Sequence, residues 1–229
     1  MSDLQIDALV FDVLGTLVDE PAGIRAGLRS LGPSFGDSEI EELRSLWETC
    51  IEREQRRILE GDRTYAPSDV LDQEAAQVVA DSAGVDDARA VGALALSGRR
   101  LPPWPDTVAG LARLAERFPL MGLSNASRTA LLELNAHAGL RWHQALSAED
   151  AQTYKPDPAV YQLAVRVSGR TPERLLMVAT HAWDLRAAQA LGLRTAYVAR
   201  PVGDPPAPTD RFDLHAAGLA DLADQLSSS

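Results

Sequence analysis

Apolar positions recur along the chain in two periods. Residues 6–11 (IDALVF) form a near-continuous apolar, β-branched run that stops at Asp12 and the turn-prone Gly15. This pattern predicts a strand buried on both faces, with a carboxylate at its carboxyl end. Shorter runs repeat the theme at 120–123 (LMGL), 175–178 (LLMV) and 195–198 (TAYV). Between them the spacing is helical, over 108–117, 128–138, 158–167 and 185–191. Strand and helix alternate, which predicts an α/β fold: a doubly wound parallel sheet with helices on both faces.

Residues 20–98 break the alternation. They hold helix-length patterns at 24–31, 38–60, 68–83 and 86–96, opening at capping-type residues such as Ser38 and Ser68. No strand pattern occurs there, so residues 19–98 are expected to be an all-helical cap inserted into a core made of 1–18 and 99–229. Hinges are expected at 18–21 and 98–105, where Pro102, Pro103 and Pro105 stiffen the return crossing. A second proline-rich loop, 201–208, precedes a last helix expected over 214–226, and the terminal serines 227–229 are expected to fray.

Charge narrows the partners. Against 33 acids stand 22 bases, a net charge of −11 that repels phosphate backbones and anionic lipid. Neither nucleic acid nor a membrane is expected as a partner; a small-molecule substrate is. The acids concentrate in residues 19–96, with 17 against 8 arginines. No apolar run is long enough to cross a bilayer, and the polar start over 1–6 is unlike a signal peptide. Cys50 is alone, which suits a reducing compartment, and a cytoplasmic location is expected. Of the basic residues, 21 are arginine and one, Lys155, is lysine.

Open parallel sheets bind ligands at the carboxyl ends of their strands. Those ends here offer Asp12 with Leu14, Gly15 and Thr16, then Ser124 with Asn125, then Lys155 within YKPDP, then Thr180, His181 and Asp184. The pieces FDVLGTL at 11–17, LSN at 123–125, YKPDP at 154–158 and HAWD at 181–184, in that order, resemble the haloacid dehalogenase-like hydrolases. Within that superfamily they are most similar to the type II 2-haloacid dehalogenases. The helical insert matches that branch in place and size, on a Rossmann-like core.

The resemblance implies that Asp12 is a nucleophile that forms an aspartyl ester, later hydrolysed by water. It implies hydroxyl donation to the anionic part of the substrate or intermediate by Thr16 and Ser124, with Asn125 alongside. Tyr161 matches the second tyrosine of the family's YKPDxxVY, and a core tyrosine is the alternative reading. Lys155 has an argument of its own. A chain that uses arginine everywhere else keeps one compact ammonium where it would sit beside Asp12 and stabilise charge during attack.

Departures from the family pattern sort the reaction types. Phosphatases of this superfamily carry a proton-donating aspartate where Leu14 stands, and halide, unlike alkoxide, leaves without a proton. They also place an acid for magnesium where Thr180 stands, so no metal and no other cofactor is expected. The dehalogenase pattern has a tyrosine at Leu14, a serine at Ala179 and an asparagine at His181. His181 paired with Asp184 is therefore expected to position the hydrolytic water. In the cap, the family's carboxylate-binding arginine follows a tryptophan; here Trp47 is followed by Glu48, with Arg44 one turn earlier as its partner or substitute. The stripe Leu43, Leu46, Trp47 and Ile51 reads as core packing, with a homodimer contact as the use the resemblance suggests. Two other readings stand beside dehalogenation: a metal-dependent phosphatase of the same superfamily, and a catalytically weak protein that binds a metabolite or partner.

Overall fold

A computed structural model describes residues 5–32 and 34–227. The first four residues of the polar start and the last two serines lie outside the described residues, and Ser227 belongs to the last helix.

Six strands form one sheet: β1 (Ala8–Asp12), β2 (Leu120–Ser124), β3 (Gln144–Ser147), β4 (Leu175–Ala179), β5 (Arg194–Val198) and β6 (Leu214–Ala216). Their order is β3-β2-β1-β4-β5-β6 and every pairing is parallel. The chain thus winds outward from β1 on one side, then returns to β4 and winds outward on the other. The carboxyl ends of β1 and β4 flank the crevice where that direction reverses, which is where open α/β sheets bind ligands.

Period-two alternation fills both faces. Leu9 and Phe11 of β1, with Leu176 and Val178 of β4, join one apolar cluster; Ala8 and Val10, with Leu175, Met177 and Ala179, join the other. Helices α5 (Thr107–Ala115), α6 (Arg128–Ala138) and α9 (Leu219–Ser227) contribute to the first cluster, and α7 (Pro158–Ser168) and α8 (Ala182–Ala190) to the second. Gly110 lets α5 approach α9 closely, because a Cβ there would lie 2.4 Å from that of Leu219.

Among the described residues, four α-helices stand between β1 and α5: α1 (Glu20–Leu31), α2 (Asp37–Leu59), α3 (Ser68–Ala83) and α4 (Ala88–Ala95). The chain leaves and re-enters the sheet through two adjacent crossings. Asp19 N–H donates to the Pro102 carbonyl (2.8 Å) and Trp104 N–H to that of Leu17 (3.1 Å). Ser127 ties the far side of the insert down, its N–H donating to Ser68 Oγ and its hydroxyl to Asp69, both at 2.8 Å. Tyr154 OH adds a bond to the Ala66 carbonyl at 2.7 Å.

Several expectations need correction. Helix α1 starts at Glu20 and not at 24, because Asp19 caps it by accepting from Ala22 N–H, and Pro21 suits a first turn that needs no N–H. Neither Ser38 nor Ser68 is a cap; Gly36 and Pro67 hold those positions, and Ser68 turns to Ser127 instead. Strands β3 and β6 carried no apolar run: β3 is exposed over its first half, and Leu214–Ala216 pairs with β5 where a helix was expected. The α2 stripe faces inward, with Leu43 and Trp47 buried and Leu46 and Ile51 packed on the clusters. Among the described residues no helix is long and apolar enough to cross a membrane.

Within the insert, the buried Glu54 of α2 accepts from Arg53 (2.9 Å), Arg57 (3.0 Å) and Arg63 (2.6 Å), and Arg63 also forks onto Glu74 of α3 at 2.7 Å. Hydrogen bonds from Arg63 and Arg53 hold the Glu54 carboxyl at about 2, below its ordinary 4.5. A depressed carboxyl stabilises the fold fully above its unfolded value and loses that contribution as pH falls through the folded one. Thermal unfolding of the wild type is therefore expected to lose stability between about pH 4.5 and 2, and Glu54→Gln to flatten that part of the profile.

Candidate active site

Asp12, at the last position of β1, is 6 % exposed, and both carboxylate oxygens are engaged. Lys155 Nζ donates to Oδ1 at 2.9 Å and the Thr16 hydroxyl to Oδ2 at 2.6 Å. The Thr16 oxygen in turn accepts from Thr180 N–H at 3.0 Å, so the loop after β1 is latched to the end of β4.

Lys155, 4 % exposed, bridges two carboxylates, donating also to Asp184 Oδ2 at 2.7 Å. Asp184 is fully buried in the first turn of α8, where the helix dipole favours negative charge, and its Oδ1 accepts from Tyr161 OH at 2.5 Å. Burial by itself would push the Lys155 ammonium down, but the neighbouring Asp12 and Asp184 outweigh it and leave Lys155 above its ordinary value. Burial pushes the Asp184 carboxyl up, against the pull of Lys155. Burial likewise pushes the Tyr161 phenol up, so it stays a donor. Asn125 Oδ1 accepts from Lys155 N–H at 2.9 Å and so fixes the lysine's backbone, while Ser124 Oγ accepts from Ala126 N–H at 3.1 Å.

The loop 13–17 is clamped through its carbonyls. That of Gly15 accepts from Trp104 Nε1 (2.8 Å), that of Thr16 from Arg200 Nε (2.9 Å) and that of Leu17 from the Thr107 hydroxyl (2.8 Å). Gly15 has φ +75°, and a Cβ there would lie 2.8 Å from His181 Nε2, so both backbone and space require glycine.

A cavity of about 300 Å³ opens between this loop and the insert, lined by Gly15, Glu20, Pro21, Arg25, Arg44, Glu48, His181, Val202 and Gly203. Of the residues singled out in the sequence, Gly15, Arg44, Glu48 and His181 reach this lining. Asp12 lies just behind it, with Oδ2 4.0 Å from His181 Nε2. Trp47 does not reach it; the tryptophan is buried in the apolar core of the insert. Leu14 also packs against that core, and its carbonyl lies 3.3 Å from His181 Nε2. Thr16 bonds to Asp12, Asn125 to the Lys155 N–H and Tyr161 to Asp184, while Ser124 Oγ is taken by the Ala126 N–H, and none of the four lines the cavity. His181 is not paired with Asp184, as the sequence led us to expect: Asp184 has both oxygens occupied by Lys155 and Tyr161, and the imidazole faces Asp12. Arg44 binds Glu48 and also Glu41, which forks onto Arg25 as well.

Glu20 and Arg25 were not found from sequence. An acid in a first helical turn reads as dipole compensation, and an arginine one turn later as surface charge. Burial raises the Glu20 carboxyl to about 7, with His181 opposing and the charges of Asp12 and Glu48 adding.

A buried carboxylate bound to an ammonium, at the switch point of a doubly wound sheet, is an arrangement that suits a hydrolase with a carboxylate nucleophile. A family model for haloacid dehalogenase-like hydrolases matches residues 6–192, and the chain belongs to that family. It is 30 % identical over 203 residues to an (S)-2-haloacid dehalogenase of Pseudomonas putida, covering 86 % of each chain. It is similar to the crystal structure of the L-2-haloacid dehalogenase PA0810, with 34 % identity and a TM-score of 0.90 over 98 % of this chain and 100 % of that one. It is also similar to the L-2-haloacid dehalogenase of Xanthobacter autotrophicus with chloropropionic acid covalently bound, at 25 % identity and a TM-score of 0.85, over 97 % and 98 % of the two chains.

Replacing Lys155 by Met leaves two buried carboxylates facing each other without their cation. Breaking a buried pair this way is expected to cost about 3 to 5 kcal/mol in denaturant unfolding. Adding Asp184→Asn is expected to recover part of that loss, since it removes one of the two uncompensated charges.

Proposed function

We propose that this enzyme hydrolyses the carbon–halogen bond of a 2-haloacid through an ester on Asp12, with residues 19–98 acting as a cap over the core. In the first step an Asp12 oxygen attacks C2 in line. The new C–O bond forms as the carbon–halogen bond breaks, and halide departs with the bonding electrons. Thr16 and Lys155 hold the carboxylate in one orientation, so little reorganisation is needed before attack. Leu14 offers the leaving group no proton, and halide, a weak base, needs none. The single observation that carries the reading is the Lys155 bridge between Asp12 and Asp184.

In the second step water attacks the ester carbonyl at Asp12 Cγ, releasing a 2-hydroxy acid and regenerating the carboxylate with one oxygen from water. His181 lines the cavity with Nε2 4.0 Å from Asp12 and 3.3 Å from the Leu14 carbonyl; as the Nδ1–H tautomer it exchanges that carbonyl for a water beside Asp12 and takes the proton of this water at Nε2. Asp184 serves as the positioning residue for Lys155, its two oxygens being occupied. The relatives are named for this chemistry, and the Xanthobacter structure holds its substrate as a covalent adduct.

A hard divalent cation does not suit these donors. Asp12 and Asp184 both bind the Lys155 ammonium, and the Thr180 hydroxyl donates to the Val202 carbonyl at 3.2 Å. No step is routed through a metal.

Single turnover in ¹⁸O-water is expected to place one labelled oxygen in Asp12, read by mass spectrometry of the peptide that contains it. Label confined to the product, with none in Asp12, would overturn the ester. Chloride release from 2-chloropropionate is expected to stop in Asp12→Asn. His181→Ala is expected to release about one halide per active site and then slow by roughly 10²-fold or more, with alkylated Asp12 accumulating, whereas His181→Asn, which carries the residue of the family pattern, is expected to keep turning over.

A further inference from the structure

The charge on the cavity wall is unbalanced in a way the dehalogenase reading does not use. The two guanidiniums that line it are neutralised by neighbours: Glu41 binds both Arg25 and Arg44, and Glu48 binds Arg44 as well. Glu20 and Glu48 on the lining, with Glu41 bound to both guanidiniums, thus set three carboxylates against two guanidiniums and the His181 imidazole. Behind the floor the same surplus recurs, with Asp12 and Asp184 around Lys155. Glu20 accepts no hydrogen bond from any described group, yet its side chain lines the cavity beside Gly15 and His181.

A plain haloacid would bring a further negative charge into this wall, where both guanidiniums are already paired. A carboxylate that accepts no side-chain hydrogen bond and is opposed by one imidazole, in a site rich in negative charge, is suited to a positive group on the ligand. The cavity's 300 Å³ has room for such a group beyond a three-carbon acid, since a water takes about 30 Å³ of liquid.

We propose that Glu20 is the residue that determines substrate specificity, receiving an ammonium group on the substrate's tail, so that the substrate is an amino-substituted 2-haloacid. This rests on the dehalogenase reading for the reacting end and adds the recognition of the other end. The ammonium sits against Glu20 near the mouth, C2 faces Asp12, and the substrate enters with its own carboxylate charge balanced. The raised Glu20 carboxyl fits the same picture, because a cation arriving beside it restores the ionised form.

The test separates binding from turnover. Calorimetry at pH 8 compares 3-amino-2-chloropropionate with 2-chlorobutyrate, which carries a methyl in place of the ammonium, on Asp12→Asn protein with and without Glu20→Gln. Binding of the amino compound is expected to be tenfold or more tighter, and the preference to fall toward unity in the Glu20→Gln background. A Glu20→Asp change, which keeps the charge, is expected to retain most of it. Equal or tighter binding of 2-chlorobutyrate, or a preference that survives Glu20→Gln, overturns the assignment. Halide release by the wild type from both compounds reports on the parent reading separately. Release from neither, with the binding preference intact, removes the dehalogenase reading and leaves Glu20 as the ammonium site.

Discussion

One ammonium between two carboxylates organises this enzyme. Taking three charged groups out of water costs several kcal/mol for each ion, and their attraction offsets that cost only with good geometry and satisfied lone pairs. Here Lys155 meets Asp12 at 2.9 Å and Asp184 at 2.7 Å, and hydroxyls from Thr16 and Tyr161 take the remaining carboxylate oxygens. The partners come from the end of β1 and the loop after it, the first turn of α8, the loop before α7, and α7 itself, while Asn125 after β2 fixes the lysine's backbone. Misplacing any one of these elements leaves a buried charge short of a partner, so the site and the sheet order specify each other.

The same arrangement readies the nucleophile. The carbonyls of residues 15–17 are each held by a donor from a different part of the chain, Trp104, Arg200 and Thr107, and the positive φ at Gly15 turns the loop under His181. Asp12 therefore stands at the end of β1, just behind the cavity, with a clamped loop after it. The cost of ordering that loop is met in folding and not during the reaction.

Above the floor the helical insert works by different means. Its α2 and α3 are joined through Glu54, Arg63 and Glu74, and its faces toward the cavity carry alternating charges that largely satisfy one another. Arg44 is committed to Glu41 and Glu48, so the wall of the cavity is polar yet short of free positive charge. That separates the two tasks. The core holds the carboxylates and their ammonium in fixed geometry, and the insert supplies the charged wall that faces them across the cavity.

The amino-acid sequence by itself determined the alternation of strand and helix, the helical insert after β1, and Asp12 and Lys155 as the residues to watch. Those are local signals: a two-residue or 3.6-residue period, a run that stops at a carboxylate, one lysine in a chain of arginines. It left unsettled β3 and β6, whose short, half-exposed segments are strands only because a neighbouring edge pairs with them. It did not reveal that His181 faces Asp12 and not Asp184, or that Glu20 lines the cavity. Only the tertiary structure decided these, because each is a distance between elements far apart in the chain. Lys155 and Asp12 are 143 positions apart, and what brings them together is the order of strands in the sheet, a property of the whole core that no local period records.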